Sequence, residues 1–230
     1  MAAERDDVHA HVARLTRDQW AWEFLRRNRD YQADYACFIA IWHALEADYG
    51  SSPQRDFQRW KQDPRAYGPL PGEDELAAPS GELCTVDDRV VLECWMGAKW
   101  GFYKFPPDPG RTTPPEPDEL SWRPPPLPAP SPDVPYRLDI GFDLSLPLPE
   151  QLESAKFRLV SRTAELRRAG HAAPMTVTNQ RERWARMLQL LDGNAPTGEE
   201  NAALLRDSED MVRCCYLTIL RLSDAGAETK

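Results

Sequence analysis

An α+β fold is predicted for this chain: a small N-terminal helical cluster, short antiparallel strands in a proline-rich middle, and a C-terminal helical bundle in a helix-turn-helix-like arrangement. Two observations predict it. Apolar residues recur at helical spacing on both sides of residues 106–149, and fifteen of the 22 prolines fall inside that stretch. Proline lacks a backbone donor and clashes within a helix, so the middle should be extended. With 230 residues, 41% of them hydrophobic, the chain can bury one good core or two small ones. The expected division is residues 14–148 and 149–223, with flexible tails at 1–13 and 224–230.

The first helix is announced by Leu15-Thr16-Arg17-Asp18-Gln19-Trp20. Thr16 can cap it, Gln19 occupies the capping-box position, and Leu15 can staple onto Trp20. It should end near Asn28, with Asp30 available to cap the next. There Tyr31, Tyr35, Phe38, Trp42, Leu45 and Tyr49 alternate in steps of four and three, one apolar stripe on a helix closed by Gly50. Ser52-Pro53 offers a cap and a first-turn proline for a short helix through Phe57 and Trp60.

Residues 63–80 have loop composition. Residues 85–98 suit either a helix capped by Thr85 and Asp88 or a buried strand over Val90–Trp95, and the helix is preferred. Trp100–Phe105 has strand composition, stopped by Pro106-Pro107. Short strands are expected around Leu120–Trp122 and Tyr136–Leu144. The aromatics Trp122, Tyr136 and Phe142 suggest that the proline-rich stretch lies over a domain surface, because burying each is worth about 2–3 kcal/mol.

Beyond Pro149, Leu148, Leu152, Ala155, Leu159 and Leu166 share one face of a helix that Gly170 should end. Trp184, Met187, Leu188 and Leu191 mark another, closed by Asp192-Gly193. Thr197-Gly198-Glu199-Glu200 resembles a capping box for a short helix, and Ser208 is placed to cap a last one with Val212, Cys215, Ile219 and Leu222 inward.

Composition narrows the function. No run approaches the length of a membrane span, and the charged start Met1–Asp7 does not suit a signal peptide, so a cytoplasmic protein with no membrane partner is expected. Cys37, Cys84, Cys94, Cys214 and Cys215 show no paired spacing. His9, His11, His43 and His171 form no ligand set, so neither a disulfide scaffold nor a metal or other cofactor is expected. No phosphate loop, nucleophile elbow or metalloprotease motif is present, and no catalytic residue is assigned; an enzyme is not expected.

A net charge of -9 works against wholesale attraction to nucleic acid. One local surplus stands against it. Lys156, Arg158, Arg162, Arg167, Arg168, Arg181, Arg183 and Arg186 face only Glu153, Glu165 and Glu182 between residues 151 and 191. Lys156, Arg158, Arg167, Arg168, Arg181, Arg183 and Arg186 are the candidate contacts to DNA phosphates. The same pattern also suits a solvated outer face whose charges complement helix termini. The last helix, opening with Glu209 and Asp210, is poorly charged for base readout. Of the tryptophans, Trp20, Trp42, Trp60, Trp100, Trp122 and Trp184 fall on core-facing positions; Trp22 lies off the Trp20 face, in a second layer or at an interface.

Three phrases resemble the transcriptional regulator-like domain family. Trp20-Ala21-Trp22-Glu23-Phe24-Leu25-Arg26-Arg27-Asn28, running on to Tyr31 and Tyr35, is similar to the family's tryptophan-rich helix and its R-R-N turn. Lys99–Pro109 with Ser121-Trp122-Arg123-Pro124, and Phe142–Leu152, resemble its later strands and the entry to its long helix. The resemblance spans residues 16 to about 160. A weaker likeness covers Arg186–Gly193 and Glu200–Leu205. It implies a transcriptional activator of integrative and conjugative elements, related to a type VI secretion activator, with double-stranded DNA as partner and possible homo-oligomerisation or a partner regulator. The rival expectation is a protein-interaction module or anti-activator that regulates without touching DNA.

Overall fold

The computed structural model describes residues 12–74, 83, 85–103, 105–123, 138–169, 175–195, 198–222 and 224. By internal packing the chain divides into residues 1–125 with 176–230, and residues 126–175. The expected boundary at 148/149 falls inside the second unit.

In the first unit, helix α1 (Arg17–Leu25) begins with the capping box foreseen: the Thr16 side chain accepts from the Gln19 amide, and Gln19 answers to the Thr16 amide. Leu15 and Trp20 are both buried in one core. The helix stops at Leu25, and Asn28, not Asp30, caps α2 (Arg29–Tyr49), its Oδ1 accepting from the amides of Asp30 and Tyr31. Gly50 closes α2 at φ +81°, the left-handed region that favours glycine. Ser52-Pro53 forms a turn instead of a helix start. The short helix α3 (Phe57–Trp60) is capped by Asp56, which had no place in the sequence argument.

The ambiguous segment divides between its two readings. Strands β1 (Thr85–Val86) and β2 (Arg89–Val90) pair antiparallel, Thr85 opposite Val90. Asp87 and Asp88 turn the hairpin with φ +50° and +63°, the double positive φ that matches the twist of a two-residue loop and that aspartate tolerates. Helix α4 (Leu92–Trp100) then starts six residues later than a Thr85 cap would have begun it. The expected strand over Trp100–Phe105 is not formed among its described residues, because Gly101 ends α4 at φ +88° and turns the chain. Only the bridge Phe102–Trp122 remains of the two strands predicted there. The short sheet thus precedes the proline-rich stretch. Within that stretch residues 138–144 are not in a strand, and Tyr136 lies outside the described residues.

Helix α6 (Val177–Leu191) opens with a second capping box, Thr176 with Asn179, and turns off at Gly193. Helix α7 (Glu199–Asp210) has Gly198 at its N-cap; Thr197 lies outside the described residues. Ser208 does not cap a new helix. It is fully buried, donates to the Leu205 carbonyl, and the chain runs on through a π-turn (Met211–Cys215) into α8 (Tyr216–Ile219). Ser/Thr hydroxyls that bond backward in this way are tolerated within a helix.

One core joins the two ends of the chain. Trp20 meets Trp184 at 5.2 Å between ring centroids, Trp22 stands edge-on to Tyr31 at 6.0 Å, and Tyr31 to Trp100 at 5.3 Å. Trp22 is fully buried, which settles its placement in the core. Trp122 stacks on Phe102 at 4.2 Å, and its indole donates to the Asp18 carbonyl. Tyr216 and Ile219 complete this cluster. A smaller cluster gathers Leu45, Trp60, Ala66, Tyr67, Val91 and Cys94. A Cβ on Gly68 would stand 2.4 Å from that of Trp95, so glycine there is required by close approach.

The second unit holds α5 (Leu148–Arg168), with Pro149 in its first turn, where a missing donor costs nothing. Gly170 lies outside the described residues. Ala155 is buried, whereas Leu148, Leu152 and Leu159 are each about half exposed.

Candidate nucleic-acid interface

The seven candidate cations divide between α5, in the second unit, and α6, in the first. On α5, Lys156 lies 3.7 Å from Glu153 in an exposed pair. Arg158, Arg167 and Arg168 make no ion pair among the described residues and stand exposed. With about 100° of rotation per residue, Lys156 and Arg158 point about 200° apart. Lys156 and Arg167 therefore flank the apolar stripe on one side and Arg158 flanks it on the other.

On α6 the cations differ in availability. Arg183 is engaged by Asp207 of α7, 2.5 Å away. Arg181 is half-buried, with its Nε unpartnered among the described residues. Arg186 is exposed and only grazes Gln189 at 3.4 Å. Three of the seven, Lys156, Arg181 and Arg183, thus have a carboxylate neighbour or partial burial to oppose their use, and Arg158, Arg167, Arg168 and Arg186 do not. The sequence could not reveal the Asp207 pairing, which depends on α7 folding back on α6.

A second polar constellation, missed in sequence, ties α1 to the C-terminal helices. Glu23 is only 2% exposed. Its carboxylate receives Arg26 at 2.8 Å and Arg27 at 2.7 Å, which satisfies a charge that burial would otherwise penalise by several kcal/mol. Arg27 also grips both oxygens of Asp192 at 2.8 Å, just past the end of α6. Burial works against the Arg27 charge, yet Asp192 and Glu23 outweigh it and hold the guanidinium above its ordinary range. Next in sequence, Asn28 donates from Nδ2 to the Val212 carbonyl at 2.9 Å, inside the π-turn. The wider turn bonds the Tyr216 amide to Met211, and Asn28 gives the Val212 oxygen a partner in the core. So the triplet Arg26-Arg27-Asn28 pins the first two helices to α6 and to the π-turn.

That triplet and the tryptophan-rich α1 before it lie inside a family match. Residues 5–61 match the family model of the proteobacterial transcriptional regulator-like domain. No curated protein and no solved structure matches the chain. The match covers the Trp20–Tyr35 phrase; the later phrases, around Trp100, Trp122 and Phe142, lie beyond it. The regulator-like domain supports a role in transcription regulation. No helix among the described residues is long and apolar enough to cross a membrane.

Within the regulator-like domain, Trp20 meets Trp184, Arg27 meets Asp192 and Asn28 meets the Val212 carbonyl. A third tie lies nearby: Lys99 of α4 pairs with Asp34 of α2 at 2.6 Å and with Glu73, while the Trp95 and Trp100 indoles donate to the same two carboxylates at 2.9 Å. Each acid is thus engaged by one indole and by Lys99. The network is suited to holding helices in register, not to moving protons.

Proposed function

We propose that the chain is a DNA-binding transcriptional regulator, an activator of mobile-element or secretion genes, and not an enzyme. The match of residues 5–61 to the regulator-like domain carries this reading. Arg158, Arg167, Arg168 and Arg186 are its best phosphate ligands, since each keeps an exposed charge with no acidic partner among the described residues. Lys156, Arg181 and Arg183 contribute less for the reasons of pairing and burial given above. The helix-turn-helix-like use of α6 and α7 belongs to the same proposal. With -9 overall, binding rests on these local cations and falls steeply with salt.

A mobility-shift titration on DNA upstream of the chain's own locus, at a series of salt concentrations, tests the reading. Changing the four arginines together to glutamine should flatten the log–log salt slope by about 3–4, at roughly 0.9 for each phosphate no longer neutralised. An unchanged slope would remove these residues from the interface, and no shift at low salt would remove DNA.

One observation favours a second reading. Leu148, Leu152 and Leu159 form an exposed stripe on α5 with cations on both flanks, the pattern of a helix that lies in an apolar, acid-rimmed groove of another protein. In that case the regulator works through a partner. Leu152→Glu with Leu159→Glu would then abolish regulation while leaving DNA binding and thermal stability intact.

A further inference from the structure

Cys214 and Cys215 close the π-turn, Cys214 exposed and Cys215 half-buried, both as free thiols. Adjacent side chains on an α-helix diverge by about 100° and do not face each other. Here the looser turn lets them converge, and their Sγ atoms lie 3.6 Å apart. That separation selects a chemistry. A disulfide needs sulfurs at about 2.0 Å, which would have to be reached across a single peptide bond. A soft trivalent, pyramidal centre bonding each sulfur at about 2.3 Å with an angle of about 100° spans about 3.5 Å, close to what is present.

The surroundings narrow the ligand further. No group of three or more His, Cys, Asp or Glu side chains among the described residues could complete a metal shell. The nearby Asp210 carboxylate is held by Arg213. A ligand satisfied by two sulfurs alone is required. We propose that Cys214 and Cys215 form a vicinal dithiol site for a soft trivalent electrophile, of the class of mono-substituted organoarsenicals. The bond balance is simple: two S–H bonds and the bonds of arsenic to one oxygen break, two S–As bonds form, and the oxygen leaves with both protons as water. Arsenic stays trivalent, and neither sulfur is oxidised. Burial, then the hydrogen bond to Cys214, holds the Cys215 thiol above its ordinary range, in keeping with a stoichiometry that releases its proton.

The site is built on the same turn whose Val212 carbonyl Asn28 bonds, so a chelate there bears directly on the regulator-like domain. This inference is independent of DNA binding. Intact-mass spectrometry of the full, reduced chain treated with phenylarsine oxide tests it, followed by a challenge with excess glutathione and then with 2,3-dimercaptopropanol. One phenylarsenic adduct should survive the monothiol and leave with the dithiol. Cys214→Ser and Cys215→Ser should each lose the glutathione-resistant adduct completely, whereas Cys37→Ser should keep it. A resistant adduct persisting in either single variant at the pair, or none in the unaltered protein, would overturn the proposal.

Discussion

Asn28 performs two jobs with one amide. Its oxygen caps α2 and its nitrogen bonds the π-turn, so substitution removes both ties at once. Asn28→Ala should cost about 1.5–2.5 kcal/mol in urea unfolding, from a lost cap near 1 and the lost bond to the Val212 carbonyl at about 0.5–1.5. Asn28→Asp keeps the cap and sets an anion against the Val212 oxygen, so it should recover only the capping share. Glu93 gives the opposite kind of test. Burial raises its carboxyl above the ordinary range, and its Oε2 has no hydrogen-bond partner among the described residues. Because the folded state holds that proton more tightly than the unfolded chain, the ionised form costs stability at neutral pH, and the cost disappears below the unfolded value near pH 4. Glu93→Gln should therefore raise the melting temperature at pH 7 and leave it unchanged at about pH 4. Asp63 carries the reverse sign: the Arg65 hydrogen bond lowers it to about 2, so what it contributes is present above the unfolded value and fades as pH falls through about 2.

Helices whose signals are local were legible. Thr16 with Gln19, the aromatic stripe of α2 ending at Gly50, and Trp184–Leu191 ending at Gly193 all lie within a few residues of the features that announce them. Signals that compete at short range were not. Thr85 and Asp88 look like a cap, yet Asp87-Asp88 prefers the left-handed turn of a hairpin. Trp100–Phe105 has strand composition, but Gly101 sits beneath Leu217, where a Cβ would come within 2.8 Å of Cδ2, and only a glycine turn fits. Gly101→Ala should accordingly destabilise by more than the roughly 1 kcal/mol of an ordinary positive-φ glycine, measured by thermal unfolding. Ser208 resembled a cap because a π-turn leaves no periodic trace in so short a run. Among the candidate site residues, the run of cations along α5 and α6 was visible in sequence, but the Arg183–Asp207 pair and the partial burial of Arg181 were not. Both depend on which helix lies alongside.

At the scale of the molecule, the aromatic core belongs to neither end alone. Trp20 and Trp22 of the regulator-like domain are fully buried among Trp184, Tyr216 and Ile219. Trp184→Ala should therefore cost about 3–5 kcal/mol, and it should unfold the N-terminal helices together with α6, seen as one coincident transition by fluorescence and circular dichroism. Loss of only the α6 signal would show that the two ends fold independently. Arg27→Ala should behave alike through another route: it removes the tie to Asp192 and leaves the buried Glu23 with Arg26 alone, at a cost of about 1–3 kcal/mol in thermal unfolding.

The clasp between Asn28 and the π-turn has a consequence for biosynthesis. A ribosome delivers the regulator-like domain early, but the partners of Trp20, Arg27 and Asn28 emerge only after residue 176 has been translated. Until then the nascent segment carries bare indoles and a glutamate with no Asp192-anchored arginine, and it is a substrate for chaperones and proteases. A truncated message would yield a fragment without the C-terminal half of its own core, which makes completion of the polypeptide a condition for a folded product.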